Sequence, residues 1–459
     1  MMGADPGFID RITPLLARAA TPAQHGKVTR VTGMLVESHV PNGRVGDMVE
    51  IERPGEPLFG EVVGFKDSNA LIIPFGRLIN VAPGARVTSR GDGARLGVSE
   101  RLLGRIVDAF GNPLDGKEAL RPDAFVPIDA AAPLPEKRVA IHNRFDTGVR
   151  AIDSLLTCGA GQRVGIFAGA GVGKTILMRQ IARQSDVDVT VIGLIGERGG
   201  EVQDLLTNFQ LERGVLVVST SDRPPAERAR GALSAVAIAE YFRDRGARVL
   251  LILDSLTRYA MALREIGLAA GEPPATKGYP PSVFATLPRL LERVCPIKNG
   301  GSITGFFTVL VEGDDLADPV ADSARSLLDG HIVLSRDLAA RGHFPAIDLL
   351  ASASRAARQV TVDEAHKLMT RGRQLLATRR EADELRSLGA YVPGHNPVYD
   401  AAVATGEAFD RWARQNPEES TAYGAGMNQL QEVIATADQL MATESAKLTK
   451  PRSRAVESK

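Results

Sequence analysis

Apolar residues along this chain change rhythm twice. Between residues 28 and 95 they come in short runs, Val28–Val36, Met48–Ile51, Gly60–Phe65 and Ala70–Pro74, broken by turn signals such as Pro41-Asn42-Gly43 and Pro83-Gly84. Closely spaced strands punctuated by glycine and proline predict a small β-barrel. A proline-rich connector follows, with Pro122, Pro127, Pro133 and Pro135. From about 160 to 355 the runs become continuous: Val164–Ala168, Val189–Ile195, Val215–Val218, Val249–Leu253, Ile303–Val311 and Ile332–Leu334. Helical segments such as Thr175–Arg183 and Ala226–Arg243 separate several of them. Strands buried on both faces lose their polar alternation, and helical crossovers force them parallel, so this stretch predicts an α/β nucleotide-binding core. Beyond residue 360 the period is helical. Asp363–Leu388 opens on acidic residues and stops at Gly389, as a well-terminated helix should. Leu430, Val433, Ile434, Ala437, Leu440 and Met441 then form an apolar stripe that faces core or a partner.

Length leaves room for about three domains, and the pattern divides them as a barrel over 1–95, an α/β core over 96–362 and a helical domain over 363–459. Lysine plus arginine equals aspartate plus glutamate at 55 each. That balance argues against a broad nucleic-acid footprint, which would show as basic excess. Cys158 and Cys295 are the only cysteines; they form neither a disulfide framework nor a metal cluster, which points to a reducing cytoplasm. No run approaches the ~18 apolar residues of a membrane span, and the opening residues lack the pattern of a secretory signal. A soluble protein that stays inside the cell is expected. Phe8, Ile9, Ile12, Leu15 and Leu16 fall at helical spacing; a membrane-surface helix, a subunit contact and a helix covering its own domain all fit.

The strongest chemical signal is Ala168-Gly169-Ala170-Gly171-Val172-Gly173-Lys174-Thr175, which follows a buried strand and opens a helix. Glycines let backbone N–H groups converge on phosphate oxygens, and the helix N-terminus adds positive potential. Gly169, Ala170, Gly171, Val172, Gly173, Lys174, Thr175 and Ile176 are therefore the candidate nucleotide-binding stretch. Lys174 would neutralise the β- and γ-phosphates, and the Thr175 hydroxyl would face magnesium. Ala168 stands where the usual pattern opens on glycine. A second magnesium partner is expected at the end of another core strand, where Asp254 follows Val249–Leu253. Glu197 follows the strand Val189–Ile195 and Gly196, where a carboxylate can polarise an attacking water.

Further motifs make the chain recognisable. Asp254-Ser255-Leu256-Thr257-Arg258-Tyr259, Gly271-Glu272-Pro273-Pro274 and Gly278-Tyr279-Pro280-Pro281-Ser282 resemble the type III protein export ATPases, flagellar or virulence-associated. Phe344-Pro345-Ala346-Ile347-Asp348 through Ser354-Arg355 is similar to a signature shared with the catalytic heads of rotary ATP synthases. The resemblance covers roughly residues 25 to 450. It implies a β-barrel, a RecA-like P-loop ATPase core and a C-terminal helical domain, assembled as a homohexamer. It implies ATP as substrate with Mg2+, Glu197 as catalytic carboxylate, Arg198 as a γ-phosphate sensor, and Arg355 as an arginine finger reaching a neighbour's site. It places Phe344 against the adenine; a plain core phenylalanine is the alternative. As partners it implies a central coiled-coil stalk protein touching the Gly278–Pro281 loop, a peripheral stator or regulator, the export gate at the inner membrane, and export substrates with their chaperones. No nucleic acid is expected. Gly200 and Ala170 depart from the arginine and serine common in the family. Three rivals differ from this reading: a proton-translocating synthase subunit, which would divide the glutamate and the finger between two chains; an RNA translocase, which would need a basic aromatic platform in the N-terminal module, where Phe8, Phe59, Phe65 and Phe75 stand without a clear basic cluster around them; and a nucleotide-binding subunit that does not hydrolyse.

Overall fold

The computed structural model describes residues 25–449 except 92, 209–211, 312, 314 and 316, so the amphipathic stretch Phe8–Leu16 lies outside the described residues. Six strands build the first unit: β1 (His25–Thr32), β2 (Leu35–His39), β3 (Met48–Ile51), β4 (Leu58–Lys66), β5 (Asn69–Pro74) and β6 (Arg86–Gly91). Their order is β1-β2-β5-β4-β3-β6, closed into a barrel by antiparallel pairing of β1 with β6. The run Val28–Val36 is two strands rather than one. Gly33 turns the chain with φ +59, a conformation that favours glycine, so β1 folds back on β2. Alternate residues, among them Val28, Val36, Val49, Ile51, Val62, Ile72 and Val87, fill the barrel interior.

The connector holds more strand than its prolines suggest. β7 (Arg95–Val98) pairs antiparallel with β9 (Ala124–Pro127), and between them β8 (Arg105–Val107) joins the central sheet. A second small pair, β10 (Arg144–Phe145) and β11 (Cys158–Gly159), precedes the core. The core strands are β12 (Arg163–Ala168), β13 (Val189–Ile195), β14 (Gly214–Ser219), β15 (Arg248–Asp254), β16 (Ser302–Leu310), β17 (Gly330–Leu334) and β18 (Ile347–Ser354). The eight-stranded order is β18-β17-β12-β16-β15-β13-β14-β8. All neighbours are parallel except β18, which runs against β17.

Both faces of this sheet are covered, which is why its strands read as unbroken apolar runs. On β13 the side chains alternate: Val189, Val191 and Ile195 face one core, Ile192 and Leu194 the other. The first core packs beneath the helices Pro225–Arg243, Leu256–Ala269 and Pro281–Leu291. The second packs beneath Lys174–Gln184 and the C-terminal helices Asp363–Ser387, Pro397–Ala413 and Tyr423–Thr449. Helix Pro225–Arg243 is buried nearly all round, so its charged residues need partners. Glu240 accepts from Arg293 at 2.5 and 3.1 Å, and the same guanidinium, 1% exposed, donates to Ile128 O at 2.5 Å. Within the C-terminal stripe Leu430, Ile434 and Ala437 are buried against the core. Gln415 holds the helical unit in place: its Oε1 accepts from Arg150 N at 2.7 Å and its Nε2 donates to Gly148 O at 2.7 Å.

Candidate active site

Parallel strands bring their carboxyl ends to one edge, and the site is built there. Ala168 ends β12, Ile195 ends β13 and Asp254 ends β15. Ala168 is still paired with Leu310 and does not have a positive φ, so the missing first glycine costs no conformational freedom. The loop beyond it does need glycine. Gly171 (φ +78) and Gly173 (φ +96) sit in the left-handed region, and Gly173 caps the helix that opens with Lys174. Thr175 is the next residue of that helix; Ile176 is 47% exposed on the outer side while Val172 is buried beneath the loop.

Strand order then juxtaposes the charged groups. Lys174 Nζ reaches over β16 and donates to Asp254 Oδ1 at 2.6 Å, and it lies 3.5 Å from Glu197 Oε1. Asp254 is 2% and Glu197 8% exposed. Burial pushes the Glu197 carboxyl up to about 7; repulsion from Asp254 and Glu201 adds to this and Lys174 offsets part of it. Burial alone would lower the Lys174 ammonium, but Asp254 and then Glu197 outweigh it and hold it above its usual value. Asp254 Oδ1 also accepts from Thr308 Oγ1 at 2.5 Å.

Other expected residues fall around this cluster. Arg198 follows Glu197 and is exposed at the start of helix Gly199–Asn208. Phe344 stands beside the glycine loop: a Cβ on Gly173 would lie 3.5 Å from two of its ring carbons. With Ile176, Leu334, Gln415 and Pro417 it lines a shallow, mostly apolar cleft. Arg355 is not part of its own chain's cluster. Val164 pairs with Gly330, and Gly330 with Ser354. Arg355 therefore leaves the sheet level with the start of β12, four residues or roughly 13 Å from Ala168 along the strand and two strands across.

Three groups at the site escaped the sequence reading. Glu201, four residues further on, adds to the rise of the Glu197 carboxyl. Arg258 packs its stem against Gly196 (φ +70), and its buried Nε has no hydrogen bond among the described residues. Thr308 is the third. The helical i, i+4 spacing of Glu197 and Glu201 was one available signal; Arg258 lay within the recognised motif Asp254–Tyr259 without a role assigned to it, and Thr308 carried no signal. Gly200 has open space where a larger side chain would stand. Among the described residues no cluster of three or more His, Cys, Asp or Glu could hold a metal unaided.

A glycine loop at a helix N-terminus, with lysine and two strand-end carboxylates behind it on a parallel sheet, defines a RecA-like P-loop ATPase core. Comparison with known proteins narrows the class. Residues 28–91 match the ATP synthase alpha/beta family beta-barrel domain, 148–354 its nucleotide-binding domain, and 361–432 the T3SS EscN ATPase C-terminal domain. The chain is 46% identical over 405 residues to the flagellum-specific ATP synthase of Bacillus subtilis, covering 86% of this chain and 92% of that one. It is 48% identical over 405 residues to the type 3 secretion system ATPase of Pseudomonas syringae pv. tomato, covering 86% and 90%. The assembled ATPase EscN from enteropathogenic E. coli superposes with a TM-score of 0.85 at 40% identity, covering 89% of this chain and all of that one; EscN with its central stalk EscO gives 0.82 at 39%, with the same coverage. The chain belongs to the ATP synthase alpha/beta family, in its branch of flagellar and type III secretion ATPases. Among the described residues no helix is long and apolar enough to cross a membrane.

Proposed function

We propose that this chain is the Mg-ATP-hydrolysing motor of a bacterial type III protein export apparatus, acting as a cytoplasmic homohexamer on the inner-membrane export machinery. The observation that carries the reading is the Lys174 ammonium held between Asp254 and Glu197 beside the glycine loop. Both carboxylates compete for a lysine that a triphosphate would draw away, so nucleotide binding rearranges this triad. The donor set suits magnesium: Thr175 and Asp254 offer oxygen only, and few protein ligands are needed where phosphates supply the rest. When bound, the metal would neutralise phosphate charge as the γ-phosphoryl group transfers. Gly169, Ala170, Gly171, Val172 and Gly173 present backbone N–H groups to the phosphates, with Lys174 beside the β- and γ-oxygens. Glu197, titrating near neutrality, orients the attacking water and accepts its proton. Arg198 senses the γ-phosphate. The base lies against Phe344 and Ile176, both exposed beside Gly173.

The position of Arg355 across the sheet from its own glycine loop supports its use in a neighbour's site. Each pocket then takes Lys174, Thr175, Glu197 and Asp254 from one copy and Arg355 from the next, so turnover requires assembly. The relative solved with a central stalk supports a coiled-coil partner in the ring, met by the Gly278–Pro281 loop. A peripheral regulator, the export gate, substrates and chaperones complete the expected partners.

Mixing inactive variants tests this arrangement. Lys174→Ala and Arg355→Ala each reduce phosphate release, the latter by about 10³-fold or more. Combined, they form some pockets with an intact lysine facing an intact finger, and activity returns above the sum of the two. A mixture that assembles and stays at that sum would refute a finger in trans.

A further inference from the structure

The carboxylate of Asp254 is buried at the end of β15, and its surroundings say what holds it still. Among the described residues it accepts from two side-chain donors, both on Oδ1: Lys174 Nζ at 2.6 Å and Thr308 Oγ1 at 2.5 Å. Oδ2 accepts from neither. The two donors differ in freedom. Lys174 lies at the tip of a flexible four-carbon stem, and a bound phosphate competes for it. Thr308 stands within β16, opposite Ile166 of β12, and is 0% exposed. A β-branched side chain in a buried strand is restricted to few rotamers, so its hydroxyl cannot follow the lysine away.

Thr308 also interrupts an apolar strand at a cost. A buried hydroxyl is unfavourable unless bonded, and its other acceptor, Leu253 O, is 3.4 Å away. Valine would fill the same volume without a polar group to satisfy. The other threonine of this strand, Thr304, accepts from Gly161 N at 2.9 Å toward the opposite end, away from the site.

We propose that Thr308 is a positioning residue for metal–nucleotide binding: its hydroxyl keeps Oδ1 of Asp254 engaged once Lys174 turns to phosphate, leaving Oδ2 for the metal side. This rests on the reading of Asp254 as the residue facing magnesium.

The test uses the full chain, with Thr308→Val, Thr308→Ala and Thr308→Ser, titrated with a fluorescent ADP analogue in magnesium or in excess EDTA. The EDTA affinities are expected to agree with wild type within about twofold. The tightening caused by magnesium is expected to fall about tenfold in Thr308→Val and Thr308→Ala, the scale of a lost outer-shell partner, and to return in Thr308→Ser. Unchanged magnesium dependence in Thr308→Val and Thr308→Ala would overturn the proposal. Equal losses with and without metal would also overturn it, because a merely structural role acts on both. A wild type indifferent to magnesium would instead remove the assignment of Asp254 beneath it.

Discussion

Replacing Glu197 by glutamine should stop turnover and at the same time make the resting protein more stable. Burial, with Asp254 and Glu201 close by, raises the Glu197 carboxyl to about 7. The folded protein therefore holds this proton more tightly than the unfolded chain does. Its contribution favours folding at acid pH and is lost as pH rises from about 4.5 to about 7. A carboxyl titrating near 7 in place of 4.5 costs the folded state roughly 3 kcal/mol at pH 8. Glutamine keeps the shape and drops the charge. Urea unfolding of nucleotide-free wild type and Glu197→Gln in EDTA should show the variant more stable by up to that amount at pH 8, with the difference shrinking toward pH 5. The same titration governs catalysis with opposite sign. With the ionised form acting as the proposed base, kcat/KM should rise through pH 7 and stand about tenfold below its plateau at pH 6. A Glu197→Gln protein no more stable than wild type at pH 8, or a flat kcat/KM between pH 6 and 8, would refute the picture of a carboxylate held under electrostatic stress.

Two further outcomes follow from the packing. Gly173→Ala forces a side chain into φ +96 and sets a methyl 3.5 Å from the Phe344 ring; it should cost about 1 kcal/mol of stability and weaken nucleotide binding, read by melting and by titration, and unchanged binding would separate Phe344 from the base. Glu240→Ala strands the fully buried Arg293 guanidinium and should destabilise the protein by about 3–5 kcal/mol, whereas Glu240→Leu with Arg293→Met should recover most of the loss in the same melting experiment.

What could be read from the sequence followed from burial on both faces of a parallel sheet. Val189–Ile195 and the run ending at Asp254 announced themselves because no charged residue interrupts them. β18 did not: it is an edge strand, half-buried, with Asp348, Ser352 and Ser354 breaking the apolar pattern. β8 is three residues long, too short to carry a period. At the site, Lys174, Glu197 and Asp254 were each legible as a residue following a buried strand. Their mutual contact was not, because it depends on the order β12-β16-β15-β13, which no local pattern encodes. Thr308 stayed hidden for the same reason: a threonine in an apolar strand looks like β-propensity until the neighbouring strand is known. Arg355 came through resemblance alone, and its distance from its own glycine loop follows from the reversed direction of β18.

The closure of β1 onto β6 has a consequence for how copies of this chain can come together. A sheet that ends on itself offers no bare row of amides and carbonyls to a neighbour. Identical units crowded side by side through their barrels have no open edge by which to knit into one continuous ribbon. They touch through side chains, and can part and rejoin without unzipping.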